Sequence, residues 1–220
     1  METIYSNDAR VDLVTRIAID RTGSRLLQIH RFAPGDQAHT DKLLEYFDPP
    51  QKCRIADVGC GVGALAALMR HKRPDLDFIL INKSPSQLHL CPAGFEKREG
   101  VAEDLPLKPG EVDAIMATYV LGHVDLPRFV AECDRVLEKE KHVYIYDLFK
   151  ANVLRPCWLE HDLGYADRTA VETIAAFDDA GFRLTRQPAL AAVAPTKILE
   201  LMPQTVTLRN TVSAALVFKK

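Results

Sequence analysis

The chain lacks the features that would commit it to a membrane, a nucleic acid or a disulfide scaffold. No apolar run approaches the roughly 18 residues that a bilayer-spanning helix needs. The longest, such as Ala64–Met69, have the size of a core helix segment. Lys and Arg number 28 against 30 Asp and Glu, a formal charge of −2. There is therefore no basic excess to hold a phosphate backbone or an anionic lipid surface. The five cysteines, Cys53, Cys60, Cys91, Cys133 and Cys157, form an odd set without a Cys-x-x-Cys pair, which argues against a disulfide framework and a zinc ribbon alike. Reduced thiols in a cytoplasmic protein are expected. Internal repeats and low-complexity stretches are also lacking, and the opening METIYSNDARVD is too polar and acidic for a secretory leader.

Within 220 residues, 47% are hydrophobic and 26% charged, a balance that builds a buried core and excludes wholesale disorder. Residues 1–50 read as an N-terminal cap: an alternating stretch at Leu26–Phe32, a turn at Pro34–Gly35 and a helix from Gln37 to Phe47, stopped by Asp48-Pro49-Pro50. From residue 51 onward strands and helices alternate. Strands are expected at Arg54–Val58, Asp77–Ile81, Arg98–Val101, Val112–Thr118, His142–Leu148, Phe182–Arg186 and Ser213–Lys219. Helices are expected at Ala64–Arg73, Ser86–Leu90, Leu126–Leu137 and Thr169–Ala180. This alternation predicts an α/β fold with a doubly wound, mostly parallel sheet covered by helices on both faces.

The most informative segment is Ala56-Asp57-Val58-Gly59-Cys60-Gly61-Val62-Gly63-Ala64, where the first strand hands over to a helix. Alternate glycines let the backbone turn sharply and let a ligand lie against bare main chain, and ligands of doubly wound sheets bind at this carboxyl-end crevice. Gly59-x-Gly61-x-x-Ala64 also satisfies a relaxed dinucleotide fingerprint. Asp57 separates the two readings: a carboxylate beside the loop repels a pyrophosphate but suits the ammonium and sulfonium of S-adenosylmethionine. Asp57, Gly59, Gly61 and Gly63 resemble the first motif of class I S-adenosylmethionine-dependent methyltransferases, a likeness that runs from Arg54 to about Leu148.

That resemblance implies further contacts. Asn82 follows Asp57 by 25 residues and stands where most of the family has a ribose-binding acid. Asn82-x-Ser84-x-x-Gln87 is similar to the Thr-Leu-Ser-x-x-Gln of the subgroup holding cyclopropane-fatty-acid synthases and isoprenyl-diphosphate C-methyltransferases. On that likeness Asn82, Lys83, Ser84 and Gln87 contact the cofactor, while Ser84-Pro85 equally well caps a helix. Gly100-Val101-Ala102-Glu103-Asp104-Leu105-Pro106 resembles the family's adenine-gripping segment, which implies roles for Ala102 and Glu103. Cys60 in the first loop and Thr118 at the end of the fourth strand complete the expected cofactor contacts. Glu138–Lys141 replaces the Lys-Pro-Gly-Gly turn that usually follows Arg135-Val136-Leu137.

Methyl transfer from a sulfonium is an in-line displacement that needs positioning and at most one base, and no metal. His123, following the fourth strand, is the expected base, because an unperturbed imidazole titrates near pH 6.5; Tyr119 is expected to wall the methyl site. Tyr146, Asp147 and His161 are further candidates, with Asp147 able to orient substrate or to hold a loop. His30, Arg31, His39 and Trp158 fall in segments that could fold over the crevice, including a lid near Asn152–Arg168. Asp48-Pro49-Pro50-Gln51 reads as a turn. The expected activity is methyl transfer to a small molecule, without nucleic acid or membrane, and with a homodimer left open. The narrower alternative is carbon methylation of an isoprenyl diphosphate, gripped by arginines such as Arg25, Arg31, Arg155 and Arg168. A further alternative is a non-enzymatic S-adenosylmethionine-binding protein.

Overall fold

The computed structural model describes residues 37–150, 168–187 and 211–220. The expectations for Leu26–Phe32, His30, Arg31, Arg25, Arg155, Trp158, His161 and nearly all of the Asn152–Arg168 lid lie outside these residues, as does the side chain of His39. Among the described residues seven strands form one sheet: β1 (Arg54–Val58), β2 (Asp77–Asn82), β3 (Glu96–Glu99), β4 (Ala114–Thr118), β5 (His142–Lys150), β6 (Arg183–Arg186) and β7 (Thr211–Lys219). Their order is β3-β2-β1-β4-β5-β7-β6, with β1 to β5 parallel and β7 antiparallel between β5 and β6. The helices are α1 (Gln37–Phe47), α2 (Ala64–Lys72), α3 (Pro85–Leu90), α4 (Leu126–Val136) and α5 (Ala170–Asp179).

Strand alternation sends side chains to two cores. On β5 and β7, Val143, Ile145, Phe149, Leu216 and Phe218 face one side, where Phe129, Val130 and Cys133 of α4 and Phe177 of α5 pack onto them. Tyr144, Tyr146, Ala215 and Val217 face the other, with Leu65, Ala66 and Met69 of α2. Helix α1 joins this second layer through Leu43 and Phe47, and the Phe47 ring stacks on Tyr144 at 5.1 Å. Fully burying each such side chain stabilises the fold by roughly 1.5–3 kcal/mol relative to exposure.

Helix ends follow the local chemistry. Asp125 caps α4 by accepting from Arg128 N, and Thr169 with Glu172 forms a reciprocal capping box on α5. Gly181 stands just past α5 at φ +84° and donates to Asp178 O. Strand β4 begins at Ala114 rather than Val112, β5 runs on to Lys150, β7 begins at Thr211, and the third strand is displaced as a whole. The third strand runs Glu96–Glu99, two residues earlier than Arg98–Val101. Strand β3 is a charged edge, so its sequence carries no apolar run, whereas Val101 is 41% exposed and bridges only to Asp104.

Candidate cofactor site at the carboxyl ends of β1, β2 and β4

The carboxyl ends of β1, β2 and β4 are level, with Val58 paired to Ile81 and to Ala117. The chain leaves β1 into the glycine loop, held down by Gly59 N and Cys60 N donating to Ile81 O at 2.8 and 3.1 Å. The three glycines all take left-handed φ, at +71°, +56° and +69°, yet they serve different ends. A Cβ on Gly59 would lie 2.3 Å from Val120 Cγ2, and one on Gly63 would lie 2.8 Å from Leu80 Cδ1, so both permit close packing. A Cβ on Gly61 would meet nothing within 4 Å. Its bare backbone faces open space, the cradle that a ligand lying on main chain requires.

Asp57 is 1% exposed, and its Oδ1 has no hydrogen-bond partner. Desolvation pushes its carboxyl up to about 7. A buried carboxylate is costly unless something cationic or donating meets it, and the chain itself supplies nothing to that oxygen among the described residues. A ligand ammonium fits the requirement; a pyrophosphate does not.

The second-motif residues form a closed network. Asn82 Oδ1 accepts from Ser84 N at 3.0 Å, which orients the amide so that Nδ2 donates to Gln87 Oε1 at 2.8 Å and to Gly61 O at 3.4 Å. Ser84 also caps α3, accepting from Gln87 N. Asn82 thus ties the end of β2 to the glycine loop. Glu103 spends one oxygen on Asp125 N at 2.8 Å, and Ala102 is buried in the core beside it.

The loop after β4 is clamped from two sides. Asp147, fully buried on β5, accepts from Val120 N at 2.9 Å and Leu121 N at 2.8 Å through one oxygen. Arg168 donates to Leu121 O at 2.9 Å and Val124 O at 2.5 Å. Of the two roles open to Asp147, the structure gives it the holding of a loop. Arg168 is committed to loop carbonyls rather than presented to a diphosphate. Sequence reading missed both contacts, which bridge 27 and 47 residues and carry no local signal.

Tyr119 lies in this loop with φ +57°, its ring edge-on to Tyr146 at 5.3 Å. Burial, reinforced by the neighbouring Tyr146, raises its hydroxyl well above the usual range. His123 ends a single 3-10 turn, Leu121–His123. Burial, reinforced by the charge of Lys83, lowers its imidazole to about 4. The expected titration near 6.5 therefore does not hold: His123 is neutral at neutral pH and a weak proton acceptor. Thr118 closes β4, half-buried. Among the described residues no group of three or more His, Cys, Asp or Glu is arranged to hold a metal. No helix among them is long and apolar enough to cross a membrane.

The sheet order and the glycine loop give the chain the fold of class I methyltransferases. Residues 56–145 match the family model described as "Methyltransferase domain", the same stretch that carries the motif resemblance to S-adenosylmethionine-dependent methyltransferases. A demethylmenaquinone methyltransferase of Thermotoga maritima is 27% identical over 106 residues, covering 46% of this chain and 46% of that protein. The match thus spans about half the length of that relative. Among solved structures, the [4+2]-cyclase SpnF superposes with TM-score 0.69 at 18% identity, covering 84% of this chain and 80% of its own. The geranyl diphosphate C-methyltransferase of Streptomyces coelicolor A3(2) follows at TM-score 0.68 and 14% identity, covering 83% and 78%. At these identities the structural likeness establishes the fold.

Proposed function

We propose that this chain is an S-adenosylmethionine-dependent methyltransferase acting on a small molecule. The observation that carries the proposal is the pairing of a buried Asp57 carboxylate, open at Oδ1, with the unobstructed backbone at Gly61. Asp57 receives the methionine ammonium, directly or through water. Gly59–Gly63 support the methionine part, Asn82 and Gln87 the ribose side, and Ala102 with the free oxygen of Glu103 the adenine. When bound, S-adenosylmethionine supplies an electrophilic methyl group on sulfur. The protein's share is orientation and exclusion of water. Tyr119 and His123, held by the Asp147 and Arg168 clamp, flank the acceptor side. Neutral His123 receives a proton only from an acceptor acidified by the transfer itself, which favours acceptors that need no prior deprotonation.

The isoprenyl-diphosphate alternative draws on the Asn82, Ser84 and Gln87 pattern and on the name of the Streptomyces neighbour. Against it, Arg168 is engaged with Leu121 O and Val124 O.

Calorimetric titration with S-adenosylhomocysteine tests the cofactor reading. The wild-type chain takes it up; Gly61→Val does not, since its side chain would fill the cradle. That substitution costs roughly 1–2 kcal/mol for a side chain at left-handed φ, too little to unfold a typical domain. Equal affinity in the two proteins would refute the site.

A further inference from the structure

The glycine loop carries a pair of thiols that methyl transfer does not use. Cys60 lies between Gly59 and Gly61, and Cys91 follows α3. Both sulfurs converge on one atom, each 3.6 Å from Gly61 O. They are also within hydrogen-bonding reach of each other. Gly63 leaves the room for this meeting: a Cβ there would lie 3.2 Å from Cys91 Sγ. Cys60 is half-exposed and Cys91 buried just beneath it. The remaining described cysteines, Cys53 and Cys133, are buried, and no other thiol is among the groups that shift their titration.

We propose that Cys60 and Cys91 form a reversible disulfide site for hydrogen peroxide, and that closing the disulfide distorts the glycine loop and releases the cofactor. The second half rests on the cofactor reading above. The Cys60 hydrogen bond, helped by the charge of Lys97, holds the Cys91 thiol below its usual range, while Cys60 is raised. Cys91 is thus the thiol that ionises more readily to attack the peroxide, and Cys60 the resolving thiol. The Cys91 sulfur attacks one peroxide oxygen; an S–O bond forms, the O–O bond breaks and the departing hydroxide leaves as water. Cys60 then attacks that sulfur; the S–S bond forms, the S–O bond breaks and the second hydroxide leaves as water with the Cys60 proton. Two electrons pass from the thiols to the peroxide, giving one disulfide and two waters.

The structural consequence follows from Gly61 O. Its donors are the two thiols and Asn82 Nδ2 at 3.4 Å. Oxidation removes both S–H donors and draws the sulfurs to about 2.05 Å. Cys91 is anchored at the end of α3, with Lys97 Nζ donating to its carbonyl at 2.6 Å. Cys60 is flanked by two left-handed glycines, so the glycine loop is the part that yields.

The test treats the full chain with peroxide or dithiothreitol, blocks remaining thiols, maps the peptides by mass and titrates S-adenosylhomocysteine. Expected are a linked Cys60–Cys91 peptide lighter by two hydrogens, affinity weaker by about tenfold or more, and recovery with dithiothreitol. Cys91→Ser yields no linked peptide, and its affinity is the same before and after peroxide. The proposal is overturned if both thiols remain alkylatable after peroxide, if they oxidise without linkage, or if the disulfide forms and affinity is unchanged. A reduced chain that takes up no S-adenosylhomocysteine overturns the cofactor reading and the release step, while the peptide masses judge the thiol pair independently.

Discussion

At the amino ends of the strands, charge meets charge. Arg54 reaches Asp77 and Glu96, and Lys141 reaches Asp113. These pairs sit at a partly exposed rim, where each contributes little to stability. At the carboxyl ends the chain buries Asp57 with an oxygen that nothing described meets, holds Tyr119 at φ +57° and depresses His123 by burial. At one end the charged groups pair with one another, while the other keeps a buried carboxylate oxygen that no described group meets. The difference separates a rim built for folding from one built for a ligand.

Asp57→Asn is the largest test of that contrast. Removing the charge should weaken S-adenosylhomocysteine binding by on the order of 100-fold, the scale of a buried charge-assisted contact. The same change should raise the melting temperature of the ligand-free protein at pH 8, because it removes a buried, desolvated carboxylate. A variant both weaker in binding and less stable would mean that Asp57 has a structural partner after all.

The pH dependence sharpens the same point. Asp57 titrates at about 7 when folded, against 3.8 for an unperturbed aspartate. Its contribution to stability is fully present below about 4 and is lost as pH rises through 7, amounting to at most about 4 kcal/mol at 1.36 kcal/mol per unit. His123 works in the opposite direction, at about 4 against 6.5: its contribution is present above 6.5 and is lost as pH falls through 4. The two offset each other in the wild type. Denaturant midpoints should therefore rise from pH 4 to 7 for Asp57→Asn and fall over that range for His123→Asn. Cofactor affinity should climb with pH up to about 7 and then level, since the ammonium binds the ionised Asp57. Parallel profiles in all three proteins would remove Asp57 and His123 from the account.

Releasing the loop clamp should have a smaller effect. Asp147→Ala leaves Val120 N–H and Leu121 N–H buried and unpaired, costing about 3 kcal/mol or more. Asp147→Asn keeps an accepting oxygen and recovers part of this. Turnover should fall more than S-adenosylhomocysteine affinity, because Tyr119 and His123 are on the released loop and Asp57 is not. Affinity will not be untouched, since Val120 packs against Gly59.

What sequence revealed follows from how local each feature is. The β1–α2 loop was readable because strand, turn glycines and acid lie within eight residues, 57–64. Strands β2 and β4 were readable because their apolar runs are continuous, and β1 and β5 because theirs are broken only by Asp57 and Asp147. Strand β3 was displaced because its residues are Glu96, Lys97, Arg98 and Glu99, an edge with no hydrophobic signature. The Asp147 and Arg168 clamp and the meeting of Cys60 with Cys91 depend on pairings across the fold. The depressed titration of His123 depends on burial that an unperturbed value near 6.5 does not contain. The sequence likeness marks Asn82 as an expected ribose contact but gives no sign of its bracing of Ser84, Gln87 and Gly61.

The smallest expected effect compares one dihedral at the two ends. Glu140, in the turn before β5, takes φ +69°, and Tyr119, after β4, takes φ +57°. Both carry a side chain where glycine is at ease. Glu140 offsets its strain only through an exposed pair with Lys219 and a backbone bond to Lys220 O. The backbone bond survives substitution, so Glu140→Gly should raise the melting temperature by about 2–4 °C and leave S-adenosylhomocysteine affinity as it was. Tyr119→Gly relieves the same strain but removes a ring packed edge-on to Tyr146, so the protein should melt lower and turn over more slowly. If Tyr119→Gly were instead stabilising with turnover intact, the left-handed tyrosine would be an accident of the loop, as Glu140 is of its turn, and the contrast between the two rims would not extend to the backbone.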